Sequence, residues 1–227
     1  MAAASSRVAH DAVRVIFLGP PGAGKGTQAA RLAAHLGVPK ISTGEMLRTA
    51  IARKTSLGTE ANPLMEKGRL VPDDLLVKLI SERTAEPDCT LGYVLDGFPR
   101  TLPQATGLEL MPGGGPRGFI VFDFEVPRPV LMQRLSGRRW CPNCQATFHV
   151  LNDPPKQEMV CDQCGTKLVQ RDDDLEVVVA QRLREYDERT FPLIEYYRAR
   201  TRMVRIDGNR LQDEVFQDLL QAVEVRA

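Results

Sequence analysis

The 227-residue sequence lacks the features that mark exported, membrane-spanning or nucleic-acid-binding proteins. No apolar run reaches the roughly 20 residues of a membrane-spanning helix, and residues 1–12 contain no signal-peptide core. The 30 basic and 29 acidic side chains nearly cancel, so the formal net charge of +1 provides no general attraction to nucleic acid or anionic lipid. We therefore expect a cytoplasmic globular protein with a flexible tail at 1–12, and with neither nucleic acid nor membrane as a partner.

Aromatic residues and histidines are also scarce. Aromatics make up 6% of the residues, too few for a surface that stacks on successive bases. His10, His35 and His149 lie outside every motif described below, which disfavours a reaction that depends on a histidine base. Only five cysteines occur, and in a reducing cytoplasm they are more typical of metal ligands or free thiols than of disulfides.

What the sequence does contain is a regular alternation of apolar runs and helical patterns. The apolar runs predict buried strands at 13–18, 38–42, 93–97, 119–124 and 203–207. Helical spacing follows at 27–37, 73–83 and 129–138, then in one long helix from about 175 to 200 and an amphipathic helix at 211–225. This order predicts an α/β fold of three layers, with a five-stranded parallel sheet between helices. Segments 42–71 and 137–174 interrupt the alternation and are predicted to be insertions.

A glycine-rich loop follows the first predicted strand. Residues 19–27, GPPGAGKGT, have the G-x-x-x-x-G-K spacing of a phosphate-binding loop and precede the first predicted helix. Such a loop turns backbone N–H groups toward an anion at the helix N-terminus, and Lys25 would reach the β- and γ-phosphates. Gly26 occupies the position where many such loops have a magnesium-binding Ser or Thr, and Thr27 follows it. A purely structural turn is the alternative, but strand, lysine and helix together favour phosphate binding.

Four cysteines in segment 137–174 have the spacing of a metal site. They are Cys141, Cys144, Cys161 and Cys164, in the pattern C-x2-C-x16-C-x2-C that is typical of zinc. Four thiolates complete a tetrahedral shell and leave no position for water, so the zinc would be structural. It would replace the hydrophobic core that so short and polar a segment cannot form. Two disulfides or four free thiols are the alternatives, and iron or cobalt could replace zinc.

Six motifs occur in one order along the chain: GPPGAGKGT (19–27), STGEMLR (42–48), GRLVPDD (68–74), DGFPRTLPQ (96–104), GRR (137–139) and RDDD (171–174). Together they resemble adenylate kinases over almost the whole chain beyond the tail. The glycine after the lysine is the usual form in that family, where magnesium is held largely through water. The resemblance implies a monomer that transfers the γ-phosphoryl group of ATP to AMP, giving two ADP, with Mg²⁺ required.

The same resemblance implies a division of the chain and a set of site residues. It implies a P-loop core (13–41, 72–136 and 175–227), an AMP-binding insertion (42–71) and a zinc-bearing lid (137–174). For ATP it implies Gly22, Ala23, Gly24, Lys25, Gly26, Thr27, Arg134, Arg138 and Arg210. For AMP it implies Thr43, Arg48, Arg69, Leu70, Val71, Gly97, Arg100, Gln104, Arg171 and Arg182. Phosphoryl transfer would depend on Lys25, Arg100, Arg134, Arg138, Arg171 and Arg182, with Arg139 beside them.

These residue types suit the implied reaction. The planar guanidinium matches the oxygens of a phosphoryl group in flight, and Gln104 offers adenine a donor and an acceptor together. Asp96 and Asp173 are predicted to hold the magnesium shell, although Asp173 and Asp174 could equally be capping charges of the following helix. A phosphate acceptor, with a second pKa of roughly 6, is already ionised at neutral pH and needs no base.

Three other functions remain open at this point. A related kinase could use GTP as donor or another nucleoside monophosphate as acceptor, because the donor-base contacts around 207–210 are partly backbone. A zinc-ribbon protein with a phosphate loop could bind nucleic acid, and a nucleotide-dependent switch could bind partners and turn over slowly. An assay with ATP and AMP separates these functions from the AMP kinase.

Overall fold

The computed structural model describes residues 12–113, 115 and 118–224, so the predicted tail at 1–12 lies outside the described residues except for Ala12. Within them, five strands form one parallel sheet in the order β2-β3-β1-β4-β7. A separate antiparallel pair, β5 and β6, lies in segment 137–174. The strands are β1 Val13–Leu18, β2 Lys40–Ser42, β3 Gly92–Asp96, β4 Phe119–Glu125, β5 Arg138–Trp140, β6 Thr147–His149 and β7 Arg202–Asp207. The α/β fold with a five-stranded parallel sheet is confirmed.

Helices cover both faces of the sheet. Their bounds are α1 Lys25–Leu36, α2 Thr43–Ala52, α3 Ser56–Glu66, α4 Asp73–Thr84, α5 Leu102–Glu109, α6 Arg128–Ser136, α7 Glu176–Glu185, α8 Pro192–Arg198 and α9 Gln212–Glu224. Segment 42–71 contributes α2 and α3. Of the helices in the described ranges, none is both long and apolar enough to cross a membrane.

Strand β1 shows why the sheet has a hydrophobic core on each side. Successive side chains of a strand point to opposite faces. Val15 and Phe17 accordingly pack with α1, α6, α7 and α9 on one face, whereas Ile16 and Leu18 pack with α4, α5 and α8 on the other. All four are at most 2% exposed. The central strand is therefore buried on both sides, and its carboxyl end is a firm base for the loop that follows.

The predicted long helix at 175–200 is interrupted. Its middle, Tyr186–Thr190, is a π-helical turn in which the N–H of Phe191 donates to the carbonyl of Tyr186, five residues back. Pro192 begins α8 and has no N–H to continue the regular ladder, which accounts for the break. The turn brings the hydroxyl of Thr190 within 2.9 Å of the carbonyl oxygen of Arg100, to which it donates. The break thus ties this helix to the loop after β3.

Candidate active site and metal centre

The glycine-rich loop lies at the carboxyl end of β1 and leads into α1. Gly19, Gly22 and Gly24 have φ values of 136°, 86° and 93°, a region in which glycine is strongly favoured. A Cβ at Gly19 would also lie 2.7 Å from the carbonyl oxygen of Phe124, so the close packing of the loop on β4 requires glycine there. Because Gly24 is the N-cap of α1 and has no side chain, the first amides of the helix are available to an anion.

Lys25 is buried in the loop that it follows. Its Nζ donates to the carbonyl oxygens of Gly19 and Pro20, at 2.7 Å each. Burial lowers the pKa of Lys25 to about 7, although the Asp96 carboxylate favours the charged form, and Arg100, Arg138 and Arg182 lower it further. An anion placed against this lysine would restore its charge, so the group is suited to a phosphate ligand.

Above the loop is a cavity of about 1060 Å³. Of the residues predicted to bind ATP, AMP or the magnesium shell, all but Gln104 line its wall. Six of the lining side chains form what we call the cation cluster: Lys25, Arg48, Arg100, Arg138, Arg171 and Arg182. The structure therefore brings together residues from segments that are up to 157 positions apart in the chain. Parallel strands end at one edge of the sheet, which is why motifs that follow different strands meet here.

Carboxylates hold two members of the cation cluster. The carboxylate of Asp174, which is 0% exposed, accepts from Arg138 through both oxygens and from Arg182 Nη1 at 2.9 Å. Asp173 forms a further ion pair with Arg182 at 3.3 Å. Although burial opposes it, Arg182, Arg138 and Arg48 lower the pKa of Asp173. The sequence suggested that Asp174 is a capping charge of the following helix. Its role as the anchor of Arg138 and Arg182 was not predicted from the sequence. The one available signal for that role was the place of Asp174 in the RDDD motif.

Arg48 and Arg171 are held differently. The Nε atom of each is buried and has no hydrogen-bond partner among the described residues. Burial, and then the charge of Arg48, lower the pKa of Arg171 to about 9. The Cζ atoms of Arg171 and Arg48 lie 5.1 and 5.8 Å from the ring centroid of Trp140. Buried donors without partners indicate a ligand rich in acceptors, because such groups are costly when left unpaired.

The loop after β3 orders Arg100. Gly97 has a φ of 78°, and its carbonyl oxygen accepts from Arg100 Nε and from Thr43 Oγ1, at 2.8 Å each. The positive φ favours glycine, and a Cβ there would displace the Arg100 guanidinium, because it would lie 2.7 Å from Arg100 Nη2. The two hydrogen bonds connect the loop to the start of α2 and aim Arg100 into the cavity.

Gln104 and Arg139 lie away from the cavity wall. Gln104 is fully buried, its Oε1 accepts from the backbone N–H of Arg100 at 2.8 Å, and its Nε2 donates to Asp73 at 2.7 Å. Both polar atoms of its amide are thus satisfied by the protein, and its predicted contact with adenine stays a prediction. Arg139 donates to the carbonyl oxygens of Ser136 and Arg138 instead of facing the cavity.

Asp96 fits the role of an outer magnesium partner. It ends β3, and its Oδ2 accepts from Ser42 Oγ at 3.3 Å. A Cβ on Gly26 would lie 3.3 Å from the same oxygen, so the carboxylate faces the start of α1 across a glycine. A hard oxygen ligand beside the phosphate loop is what a hydrated magnesium ion prefers. Two other lining residues have partners of their own: Arg134 donates to the carbonyl oxygen of Gly208 at 2.9 Å, and Arg210 pairs with Glu214 and Asp218.

The four cysteines of segment 137–174 converge on one point. Their sulfur atoms all lie within 4.8 Å of one another, with Cys141–Cys164 at 3.4 Å and Cys144–Cys161 at 3.5 Å. These separations are too long for disulfides and near the roughly 3.8 Å edge of a zinc–sulfur tetrahedron with bonds of about 2.3 Å. Hydrogen bonds with the side chain and backbone of Thr166 lower the pKa of the Cys164 thiol to about 5. Although the backbone of Ala146 opposes it, burial and hydrogen bonds with the other three cysteines raise the pKa of the Cys144 thiol to about 12, so the cluster without metal is not fully ionised. The four sulfur ligands and the distances between them fit a zinc ion.

Two similar turns present the cysteines. The N–H of Cys141 donates to the carbonyl of Ala146 at 2.9 Å, and that of Cys161 donates to the carbonyl of Thr166 at 2.9 Å. The residue after the second cysteine of each pair has positive φ: Gln145 at 64° and Gly165 at 72°. Phe148 and Leu168 pack beside the buried sulfur atoms and form a small separate core. The sulfur cluster and these two side chains are the main contents of that core.

Comparison with known proteins finds close relatives. A family model described as adenylate kinase matches residues 17–202. An adenylate kinase of Syntrophobacter fumaroxidans is 49% identical over 205 residues, which cover 90% of this chain and 96% of the relative. One from Moorella thermoacetica is 50% identical over 199 residues, or 87% and 92% of the two chains. One from Archaeoglobus fulgidus is 45% identical over 213 residues, or 93% and 98%.

Proposed function

The chain belongs to the adenylate kinase family of nucleoside monophosphate kinases, which transfer the γ-phosphoryl group of ATP to AMP, and we propose that the cation cluster carries out this transfer. The reaction gives two ADP and is reversible. The observation that carries the proposal is the buried, incompletely paired positive charge at the carboxyl edge of the sheet. The six cations of the cluster lie with four carboxylates, those of Glu45, Asp96, Asp173 and Asp174.

Two phosphate tails that meet in the cavity would supply the missing negative charge. The amides of the loop and Lys25 would bind the β- and γ-phosphates of ATP, with Arg134 and Arg210 toward its base. Thr43, Arg48, Arg100 and the 69–71 segment would bind AMP. Arg138, Arg171 and Arg182 would lie between the two nucleotides, where charge develops on the transferred group. Fixed guanidinium groups stabilise that charge without the reorganisation that water would require.

The metals have separate roles. Asp96 and Asp173 would hold Mg²⁺ through its water shell, and the ion neutralises charge on the β- and γ-oxygens when it is bound with ATP. The four cysteines would hold a structural Zn²⁺ that keeps the 137–174 lid rigid as it closes. The 42–71 insertion would cover AMP from the other side. Closure of both segments excludes water, which would otherwise hydrolyse ATP.

Two further proposals concern the setting of the enzyme. Cysteines that hold zinc must stay reduced, so the four-cysteine cluster supports a location in the reducing cytoplasm. We also propose a monomer as the functional unit, because one copy of the chain brings all the residues predicted to bind the two nucleotides except Gln104 to a single cavity.

The proposed function is tested by product analysis on the zinc-loaded enzyme. With ATP, AMP and Mg²⁺ we expect stoichiometric ADP, and weaker or no turnover when GTP replaces ATP or when GMP, CMP or UMP replaces AMP. Arg100→Gln should lower kcat/KM for AMP at least about 100-fold, because it removes a charge that touches the transferred or accepting phosphate. Arg205→Gln is the matched control and should stay within about twofold, since Arg205 pairs with Glu125 at the surface. Nucleotide binding without ADP formation would contradict the proposal.

A further inference from the structure

Trp140 is the one tryptophan of the chain and the last residue of β5. Its backbone is fixed by two hydrogen bonds with Val169, Trp140 N to Val169 O at 2.8 Å and Val169 N to Trp140 O at 2.9 Å. The next residue is Cys141, a predicted zinc ligand. The ring is therefore carried on a backbone that is held by the neighbouring strand-like residue Val169 and lies next to the cysteine cluster.

The ring contacts two arginines from different parts of the chain. Arg48 is on α2 in segment 42–71, and Arg171 follows the second cysteine turn. Their Cζ atoms are within 6 Å of the ring centroid, at 5.8 and 5.1 Å, which is the range of a cation–π interaction. These are also the two members of the cation cluster whose buried Nε atoms have no hydrogen-bond partner among the described residues. Asp174, in contrast, holds Arg138 and Arg182.

An aromatic partner and a carboxylate partner leave an arginine in different chemical states. A carboxylate neutralises the charge and occupies one or two N–H groups, as Asp174 does for Arg138. A ring that lies against the guanidinium plane stabilises the cation but leaves its N–H edge available to a phosphate. Burial, and then repulsion from Arg48, lower the pKa of Arg171, and the electron-rich ring face opposes both effects by stabilising the cation.

We propose that Trp140 is a positioning residue that orients Arg48 and Arg171 for the phosphate of AMP and links closure of the zinc-bearing segment to AMP binding. The link follows from the connectivity: Arg48 belongs to the 42–71 segment and Trp140 to the 137–174 segment, so the contact exists only while the two segments are close. The proposal rests on the proposed function, in which Arg48 and Arg171 bind AMP.

Two variants of the metal-loaded enzyme test the proposal by steady-state kinetics. Trp140→Leu keeps an apolar side chain but removes the ring, and Trp140→Phe keeps a smaller ring. With ATP saturating, we expect Trp140→Leu to raise KM for AMP about 4- to 25-fold, because two cation–π contacts are lost and each corresponds to a factor of about 2 to 5. Trp140→Phe should recover most of the loss. KM for ATP should change less than about twofold, and melting temperature and bound zinc should match the wild type.

A second measurement does not depend on a Trp140 substitution. Because Trp140 is the only tryptophan, its fluorescence reports the contact directly. AMP should change the emission of the wild type, and Arg48→Met, which removes one of the two cations, should weaken that change. Normal folding of Trp140→Leu with an unchanged KM for AMP would overturn the proposal, as would emission that does not respond to AMP. A wild-type enzyme that forms no ADP would instead refute the proposed function.

Discussion

The cation cluster and the cysteine cluster are both polar centres to which we assign a ligand, but the hydrophobic cores that support them differ. The cation cluster stands on a sheet whose central strand is at most 2% exposed at Val15, Ile16, Phe17 and Leu18. The four cysteines have only a small local core, in which Phe148 and Leu168 are the buried apolar side chains. A centre whose ligand leaves in every cycle needs a scaffold that is stable without it, whereas a permanently bound ion can itself be the scaffold. Removal of the ligand should therefore affect stability in only one of the two regions.

Lys25→Met should have the largest effect and should act on turnover. It removes the one cation that the loop presents to the phosphates, so we expect kcat/KM to fall about 100- to 1,000-fold, or roughly 3–4 kcal/mol of transition-state stabilisation. The unliganded variant should be as stable as the wild type or more so at pH 6, because burial disfavours the charged lysine. The assay is coupled ADP formation, and stability is measured by denaturant unfolding.

The pH dependence of unfolding sharpens the same test. The folded-state pKa of Lys25 is about 7, below the ordinary lysine value of 10.5, so the unfolded chain binds more protons between these values. The destabilising contribution of Lys25 should be complete below pH 7 and should fade as pH rises toward 10. The free energy of unfolding of Lys25→Met should lack this pH dependence. Lys78→Met, at an exposed position of α4, is the matched control. If Lys25→Met unfolded far more easily than the wild type but retained turnover, Lys25 would support the fold and not the reaction, contrary to the comparison above.

Metal removal should have the next largest effect and should act on stability. Chelation, or Cys144→Ser, should lower the melting temperature by about 10 °C or more, because metal-binding free energy is folding free energy for so small a module. Turnover at moderate temperature should fall far less. Calorimetry and the coupled assay measure the two quantities, with zinc restored to the chelated sample.

The matched variant is Cys89→Ser, which changes a cysteine outside the cluster. Cys89 is buried beside Arg83, whose Nη1 lies 3.1 Å from its sulfur, and the variant should keep its zinc content. Equal losses of melting temperature and turnover after chelation would show that the ion does more than support the lid.

The sequence predicted the parts of both centres that depend on backbone and spacing. Alternating apolar runs identified the five strands, and motifs after successive strands had to meet because parallel strands end at one edge. The cysteine spacing was sufficient to predict a four-sulfur cluster. The cavity that the cation cluster lines is assembled from these predicted pieces.

Side-chain partners were less predictable. The amide of Gln104 donates to Asp73, which is 31 residues away in the sequence. The rotamer of Gln104 decides whether the amide makes this hydrogen bond or contacts a ligand, and a sequence pattern does not determine a rotamer. Asp174 anchors Arg138 of β5 and Arg182 of α7, a role that depends on the packing of these two elements against each other. The contact of Trp140 with Arg48 joins two predicted insertions, and no local pattern relates them.

Asp123 allows the effect of a buried, unpaired charge on the free energy of unfolding to be measured outside the cation cluster. It lies on β4, is 1% exposed, and neither carboxylate oxygen has a hydrogen-bond partner within the described ranges. Burial, and then Glu125, raise the pKa of Asp123 to about 6, while Arg205, Arg198 and Lys25 oppose the shift. The folded state thus binds more protons than the unfolded chain between about pH 4 and 6. The stability of the wild type should fall as pH rises through that range.

Asp123→Asn should remove this loss. At pH 7 we expect the free energy of unfolding of the variant to be about 1–3 kcal/mol higher than that of the wild type, and we expect this difference to shrink toward pH 4. Denaturant unfolding at four or five pH values measures it, and Asp213→Asn, at an exposed position whose carboxylate pairs with Arg31, is the control. A pH-independent difference would mean that Asp123 is paired in solution.

The smallest expected effect separates the fold of the lid from its metal. Gln145 and Gly165 occupy equivalent positions in the two cysteine turns, with φ values of 64° and 72°, and only the second turn has the residue that this region favours. Gln145→Gly should stabilise the zinc-loaded, nucleotide-free protein by about 0.5–1 kcal/mol, because a left-handed backbone is costly for a residue with a Cβ. Gly165→Ala should destabilise it by a similar amount, since a Cβ there meets no atom within 4 Å and only the backbone is strained. If scanning calorimetry shows no change for either variant, the ion alone determines the stability of the lid, and the turns merely follow its coordination.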